Sequence, residues 1–193
     1  MICVRRARPD DAPGIAAVHV AAWRSAYAGI LDPAYLAHLS EERLAEFYHR
    51  AILDRGAGHA VFVATAAGRD QPDDSQEEAA ATIVGFASGG RARRQGLAEG
   101  EVETLYVLDD FRERGVGRRL MRAMAAHLRA VGCGSALVWV LSDNPANWFY
   151  RHLGGKPAMA EDIRVAGRPV RQSAYVWAPI DSLLSATAPV KEG

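Results

Sequence analysis

The sequence predicts one α/β domain built on a mixed sheet, and three observations predict it. Alternating apolar runs and runs of helical period follow one another along the chain. A strand-like run, Glu101-Val-Glu-Thr-Leu-Tyr-Val107, opens into the turn Arg112-Glu113-Arg114-Gly115-Val116-Gly117 and then a helix-forming run to Val131. Leu137 to Leu141 is apolar almost without interruption, the pattern of a strand covered on both faces. A length of 193 residues suits a single core of this kind, expected over residues 1–180.

Taken in order, Ile2 to Arg5 reads as a first strand. Asp10 or Asp11 caps a helix whose apolar positions, Ile15, Val18, Ala22 and Trp23, recur at helical spacing. His19 sits on that apolar side and reads as a satisfied core histidine. Tyr27 to Pro33 breaks the helix. A second helical region follows in two pieces, one with Tyr35, Leu36 and Leu39, the other with Leu44, Phe47, Tyr48 and Ile52 behind Ser40 as a simple cap. His59 to Ala66 and Thr82 to Ser88 are β-prone. The polar, acidic segment between them, 67–81, reads as a long mobile hairpin loop. Arg91-Ala-Arg-Arg94 reads as a solvated loop.

The strand from Glu101 to Leu108 leads to a helix, Gly117 to Val131, with Leu120, Met124, Leu128 and Val131 on one face. Leu137 to Leu141 then takes an interior place in the sheet. Asn144 caps a short helix with Pro145 at its first position, and Gly154-Gly155 ends it. Met159 to Val165 and Gln172 to Trp177 are late strands joined by residues 166–169. The tail, 185–193, reads as disordered.

Composition excludes several classes. Lys+Arg and Asp+Glu number 23 each, so no net field recruits nucleic acid or an anionic membrane surface. No apolar run has the length of a membrane span or the form of a signal peptide, which leaves the cytoplasm as the expected location. Cys3 and Cys133 are too few and too far apart for a metal knuckle or a disulfide framework, and read as reduced, buried thiols. No spacing suggests a metal site.

The glycine turn carries the chemistry. A strand, a glycine turn and a helix start together aim backbone N–H groups at one point, an anion site suited to pyrophosphate. A dinucleotide fingerprint would need a third glycine after Gly117, where Arg118-Arg119-Leu120 follows instead. A nucleotide P-loop would end in Gly-Lys-Ser/Thr, and none is present. Arg112-x-x-Gly115-x-Gly117 resembles instead the GCN5-related N-acetyltransferase (GNAT) family. Leu105-Tyr-Val107 with Asp109-Asp-Phe-Arg112 is similar to that family's Leu-Tyr-Val-x-Pro-x-Tyr-Arg/Gln segment, without its proline. Asp143-x-x-Ala146-x-x-Phe149-Tyr150-x-x-x-Gly154 is similar to its Asn-x-x-Ala-x-x-Phe-Tyr-x-x-x-Gly block, with Asp for Asn. Trp23-Arg24-x-x-Tyr27-x-Gly29-Ile30 resembles the N-terminal helix region of one bacterial branch. The likeness spans residues 2–178.

That resemblance implies the acyl-CoA N-acyltransferase fold: about seven strands in a mixed sheet, flanked by helices and splayed at its two central parallel strands. It implies an enzyme that moves an acetyl group from acetyl-CoA directly to an amine. Backbone groups of Arg114, Gly115, Val116 and Gly117 would hold the pyrophosphate, and Arg112, Arg118 and Arg119 would add charge-assisted contacts. Val107 and Leu108 would give main-chain bonds to the pantetheine arm, with Asp143 to Asn147 beside the thioester. Tyr150 matches the family's proton donor to the departing thiolate. Glu101 matches a general-base position and Glu103 shares its face by alternation, so either is open, directly or through water. Trp23, Tyr27, Glu161 and Tyr175 are the candidates for the acceptor's wall. A small-molecule amine leads as acceptor; a protein N-terminus or lysine, or a non-catalytic acyl-CoA sensor, are the alternatives. The family also commonly forms homodimers.

Overall fold

Seven strands, with helices or short turns between them, build one sheet. The computed structural model describes residues 1–54, 56–67 and 81–189. Its elements run β1 (Ile2–Arg6), α1 (Ala12–Ala26), α2 (Pro33–Ala37), α3 (Glu41–Leu53), β2 (Ala60–Ala66), β3 (Thr82–Arg91) and β4 (Gly100–Val107). There follow α4 (Val116–Ala130), β5 (Ala136–Leu141), α5 (Asn147–His152), β6 (Lys156–Val165), β7 (Arg168–Trp177) and α6 (Asp181–Ala186). The sheet order is β1-β2-β3-β4-β5-β7-β6, and only the β4–β5 pair is parallel. This is the acyl-CoA N-acyltransferase arrangement that the sequence predicts.

Both faces of the sheet are covered. On one, Leu120, Met121, Met124 and Leu128 of α4 pack with Val102, Val138, Tyr175, Trp177 and Leu183. On the other, Ile15 and Val18 of α1 and Tyr48 of α3 pack on Val61, Val63 and Phe86. Each such side chain contributes about 1.5–3 kcal/mol when taken fully out of water. A third cluster joins Tyr27, Leu31 and Leu36 to Leu141, Val165 and Val170, seating the α1–α2 loop on the far strands.

The feature that positions the site is a parting of the two central strands. β4 and β5 pair only at Gly100–Ala136, Glu101–Leu137 and Val102–Val138. Ser88 of β3 faces Thr104 of β4, but Gly89 faces Val102, which leaves Glu103 as an extra residue in β4. Such a bulge bends its strand and increases its twist. Gly89 is required opposite it, because a Cβ there would run into the Glu101 carbonyl. The Ser88 N–H and hydroxyl meet Thr104 Oγ1 at 3.1 and 2.7 Å and fix the irregularity.

Several sequence expectations are corrected. Asn144 is not a helix cap: its Oδ1 accepts the Ala146 N–H at 2.8 Å in a local turn, and α5 begins only at Asn147. The last hairpin is longer than expected, since β6 and β7 are ten residues each. They meet at a two-residue turn, Ala166-Gly167, with φ of 49° and 81°, the left-handed pair that a tight hairpin uses. Ser185 and Ala186 complete α6, and the buried Thr187 donates its hydroxyl to the Leu183 carbonyl at 2.7 Å. Cys133 is buried, but Cys3 is exposed because edge strand β1 turns it outward. The acidic hairpin loop, for residues 68–80, and the tail from 190 lie outside the described residues. Among those described, no helix is long and apolar enough to cross a membrane.

Candidate active site

At the start of α4 the chain turns through Gly115, whose φ of 74° is left-handed and favours glycine. That N-cap residue supplies no side-chain hydrogen bond to the helix. The first N–H groups of α4, from Val116 to Arg118, therefore lack a side-chain cap and face outward from the helix start. Among the described residues, nothing beyond the chain next to Gly115 lies within 4 Å of where its Cβ would stand. At Gly117 an added Cβ would meet Phe149 Cζ at 3.4 Å, an ordinary contact, so packing does not require glycine there.

The arginines around this turn divide. Arg114 is exposed, its guanidinium 5.5 Å from the Phe111 ring. Arg112 pairs with Asp109 at 2.8 Å, and Asp109 also accepts the Ser25 hydroxyl at 2.5 Å. Arg118 and Arg119 are turned to structural work. Arg118 Nη2 donates to the Ala188 carbonyl at 2.6 Å and Arg119 Nη1 to the Ile2 carbonyl at 3.1 Å. Through these bonds they brace α4 against the C-terminal segment and β1.

In the parted strands Leu108 is also committed elsewhere. Its N–H donates to the Val84 carbonyl and its carbonyl accepts the Phe111 N–H, both at 2.9 Å. By the alternation of an antiparallel ladder, the backbone groups of Val107 face the open side instead. Asn147 closes the other edge: its amide donates to the carbonyls of Leu141, Ser142 and Asn144 at 2.9, 3.1 and 2.6 Å, tying the end of β5 to α5. Asp143 is exposed on the same turn.

The α5 helix so fixed delivers Tyr150, which is buried. Burial, with the Tyr27 hydroxyl as a lesser cause, pushes its phenol well above the ordinary value. Tyr150 thus holds its proton at neutral pH, the state a donor needs. Tyr175 packs in the core on the α4 side of the sheet. Strand alternation places it beside Val138 on the α4 face, where it stacks 6.1 Å from Tyr150 and its hydroxyl accepts Arg151 Nε at 3.0 Å.

The carboxylates lie on the opposite face. Glu101 is 4% exposed and accepts from Arg93 three times: from Nη2 at 2.7 Å, Nε at 3.4 Å and the backbone N–H at 3.3 Å. Glu103 stands 3.5 Å from His59 Nε2 and 3.8 Å from Arg93 Nε. The His59 hydrogen bond holds Glu103 below its usual range against the opposing effect of burial, and Glu103 in turn raises His59. Glu161 takes both Arg94 nitrogens, at 2.5 and 3.0 Å, and Gln172 Nε2 at 2.8 Å. Arg94 and Gln172 hold its carboxyl below the usual range. The Arg94 guanidinium also lies 5.6 Å from the Trp139 ring. The loop read as merely solvated therefore folds its arginines onto three glutamates and, through Arg91, onto the Val131 carbonyl at 2.7 Å.

Trp23 and Tyr27 meet edge-on at 4.9 Å near this face. His19 Nδ1 and the Tyr48 hydroxyl are 2.7 Å apart, and burial pulls the imidazole down to about 4, so it is a neutral core histidine as expected. Sequence reasoning missed Arg93, Arg94, His59, Trp139 and Gln172 as members of the site. Trp139 carried a signal in its alternation with Leu137 and Leu141; the rest lay in a presumed loop or at strand ends.

Comparison with known proteins follows the same lines. The profile of the acetyltransferase (GNAT) family matches residues 22–154. An uncharacterized N-acetyltransferase of Bacillus subtilis, YuaI, is 28% identical over 185 residues, which cover 95% of this chain and 96% of that protein. The PaiA N-acetyltransferase of Thermoplasma acidophilum, solved in complex with coenzyme A, superposes with a TM-score of 0.62 at 17% identity, over 90% of this chain and 98% of its own. The ribosomal-protein-alanine N-acetyltransferase of Brucella melitensis gives 0.64 at 20% identity, over 91% and 99%. At these identities the two structures establish a shared fold.

Proposed function

Because the chain belongs to the acetyltransferase (GNAT) family, we propose that it moves an acetyl group from acetyl-CoA to a primary amine of a small molecule. One observation carries the reading: β4 and β5 part between an uncapped glycine turn and a buried, protonated tyrosine. Acetyl-CoA supplies an activated thioester. The N–H groups at Gly115, Val116 and Gly117, with Arg112 and Arg114, would hold its pyrophosphate, and the Val107 backbone its extended arm. Asp143 and Asn147 border that arm, Asn147 through the turn it holds together.

Tyr150 keeps a proton at its hydroxyl for the departing sulfur. The amine must arrive without its own proton, since an ammonium has no lone pair. Glu101 or Glu103, directly or through water, would take that proton; Arg93 occupies both oxygens of Glu101, and His59 and Arg93 stand 3.5 and 3.8 Å from Glu103. The setting of Trp23, Tyr27 and the folded arginine loop favours a small amine over a protein segment.

Calorimetry with acetyl-CoA, dephospho-CoA and NADH tests the donor. One-site binding of the first, weaker binding without the 3′-phosphate and none of NADH is the expected pattern. Tyr150→Phe is expected to lower kcat by about 10²-fold or more while acetyl-CoA still binds; unchanged turnover would remove Tyr150 from the chemistry.

A further inference from the structure

We propose that Trp148, backed by His152, is a stacking platform for the adenine ring of the acyl donor. The protein would then take its acetyl group from the free nucleotide thioester rather than from the same pantetheine arm on a carrier protein. The inference rests on the acetyl-CoA reading for the identity of the nucleotide.

On α5 the inward positions are already occupied. Phe149 lies against the first turn of α4, its Cζ 3.4 Å from where a Gly117 Cβ would stand, and Tyr150 is buried. Trp148 and His152, four residues apart, are left together on the outer face of the helix. Trp148 is 70% exposed, more than any other tryptophan, tyrosine or phenylalanine described. The two rings are nearly parallel, at 14°, with centroids 5.0 Å apart. His152 therefore covers one face of the indole and leaves the other to water.

A single exposed apolar side chain needs no ligand to explain it, but position and geometry set this one apart. A nucleotide leaves the glycine turn at its pyrophosphate, and α5 packs against that turn, so the outer face of α5 is the next surface the adenosine meets. The arginines there offer charge and no free flat face. Arg118 and Arg119 bend to the Ala188 and Ile2 carbonyls, and Arg114 lies over the Phe111 ring at 5.5 Å. A purine on Trp148 extends an existing parallel stack by one ring, a mode that holds a base without hydrogen-bond readout. The indole is already ordered by His152, so little side-chain freedom is lost on binding. Both residues fall at positions that Asp143-x-x-Ala146-x-x-Phe149-Tyr150-x-x-x-Gly154 leaves open, so the platform belongs to this chain and not to the pattern. A pantetheine arm carried on a protein has a phosphate at that end and no purine, and leaves the platform empty.

Calorimetry tests this with acetyl-CoA, S-acetyl-4′-phosphopantetheine and adenosine 3′,5′-bisphosphate on the wild type, Trp148→Ala and Trp148→Phe. The indole is exposed, so neither substitution disturbs the core. Trp148→Ala is expected to weaken acetyl-CoA and the bisphosphate by about tenfold each and to leave S-acetyl-4′-phosphopantetheine unchanged. Trp148→Phe keeps most of the affinity, because it keeps a ring. Quenching of tryptophan emission by the bisphosphate, lost in Trp148→Phe, reads the contact without turnover. Equal losses for acetyl-CoA and S-acetyl-4′-phosphopantetheine, or no loss in Trp148→Ala, overturn the platform and leave acetyl transfer standing. So does a change of oligomeric state in Trp148→Ala with acetyl-CoA affinity unmoved, which would make the indole a contact between copies of the chain. Bisphosphate binding that Trp148→Ala weakens, with no coenzyme A released by any amine, supports the platform and removes the acetyl-transfer reading.

Discussion

His59 and Glu103 lie 3.5 Å apart, each side chain about one-fifth exposed, and each displaces the other's titration. Glu103 has its pKa lowered from 4.5, so its share of the stabilisation is present above that value and is lost as pH falls through the lowered one. His59 has its pKa raised from 6.5, so its share is complete below that value and is lost as pH rises through the raised one. Both shares are present together between pH 4.5 and 6.5. Solvent access limits the pair to about 1 kcal/mol. His59→Gln is accordingly expected to lower the urea midpoint most near pH ~5.5 and least near pH ~9. An equal loss at both would assign His59 a packing role instead.

At the scale of elements, the two glycines that open α4 have different physical reasons, and substitution separates them. Gly115 is left-handed at φ 74°, so Gly115→Ala costs about 1–2 kcal/mol in backbone strain although space for the methyl is open. Gly117 is in the helix with φ in the ordinary range, and a methyl there meets only the Phe149 ring. Gly117→Ala is expected to stabilise the fold by about 0.5–1 kcal/mol through helix propensity and at the same time to weaken acetyl-CoA binding. Urea unfolding and calorimetry on the same protein read the two effects, and unchanged affinity in the stabilised variant would take Gly117 out of the cofactor site. This strand–turn–helix unit was legible in the sequence because its determinants are local: an alternating run, glycines at fixed offsets and a helical period. The bulge at Glu103 was not, because it depends on Gly89 facing it across the ladder. For the same reason the partners of Arg93 and Arg94 were invisible, one lying across the hairpin and the other on β6, 67 residues along the chain.

At the scale of the whole molecule, the order of strands and helices could be read from periodicity, but what closes the fold at its C-terminus could not. The segment after β7 is short and rich in small residues, and from Ser185 onward its sequence reads as a fraying tail. In the structure Ile180 and Leu183 are buried beside α4. Three arginines of that helix engage the segment: Arg118 on the Ala188 carbonyl at 2.6 Å, Arg122 on the Leu184 carbonyl at 2.9 Å and Arg129 on Asp181 at 2.6 Å. Two of these bonds go to backbone carbonyls, which no side-chain pattern advertises. The same helix presents its N-terminus to the proposed pyrophosphate, so the segment links fold stability to the cofactor site. A chain ending at residue 180 loses Leu183 from the core and strands the partly buried Arg118. Its unfolding free energy is expected to fall by about 2–5 kcal/mol, the range for emptying a buried leucine site, and its affinity for acetyl-CoA to fall with it. If the segment were the loose tail its composition suggests, the urea midpoint of the shortened chain would match that of the full one.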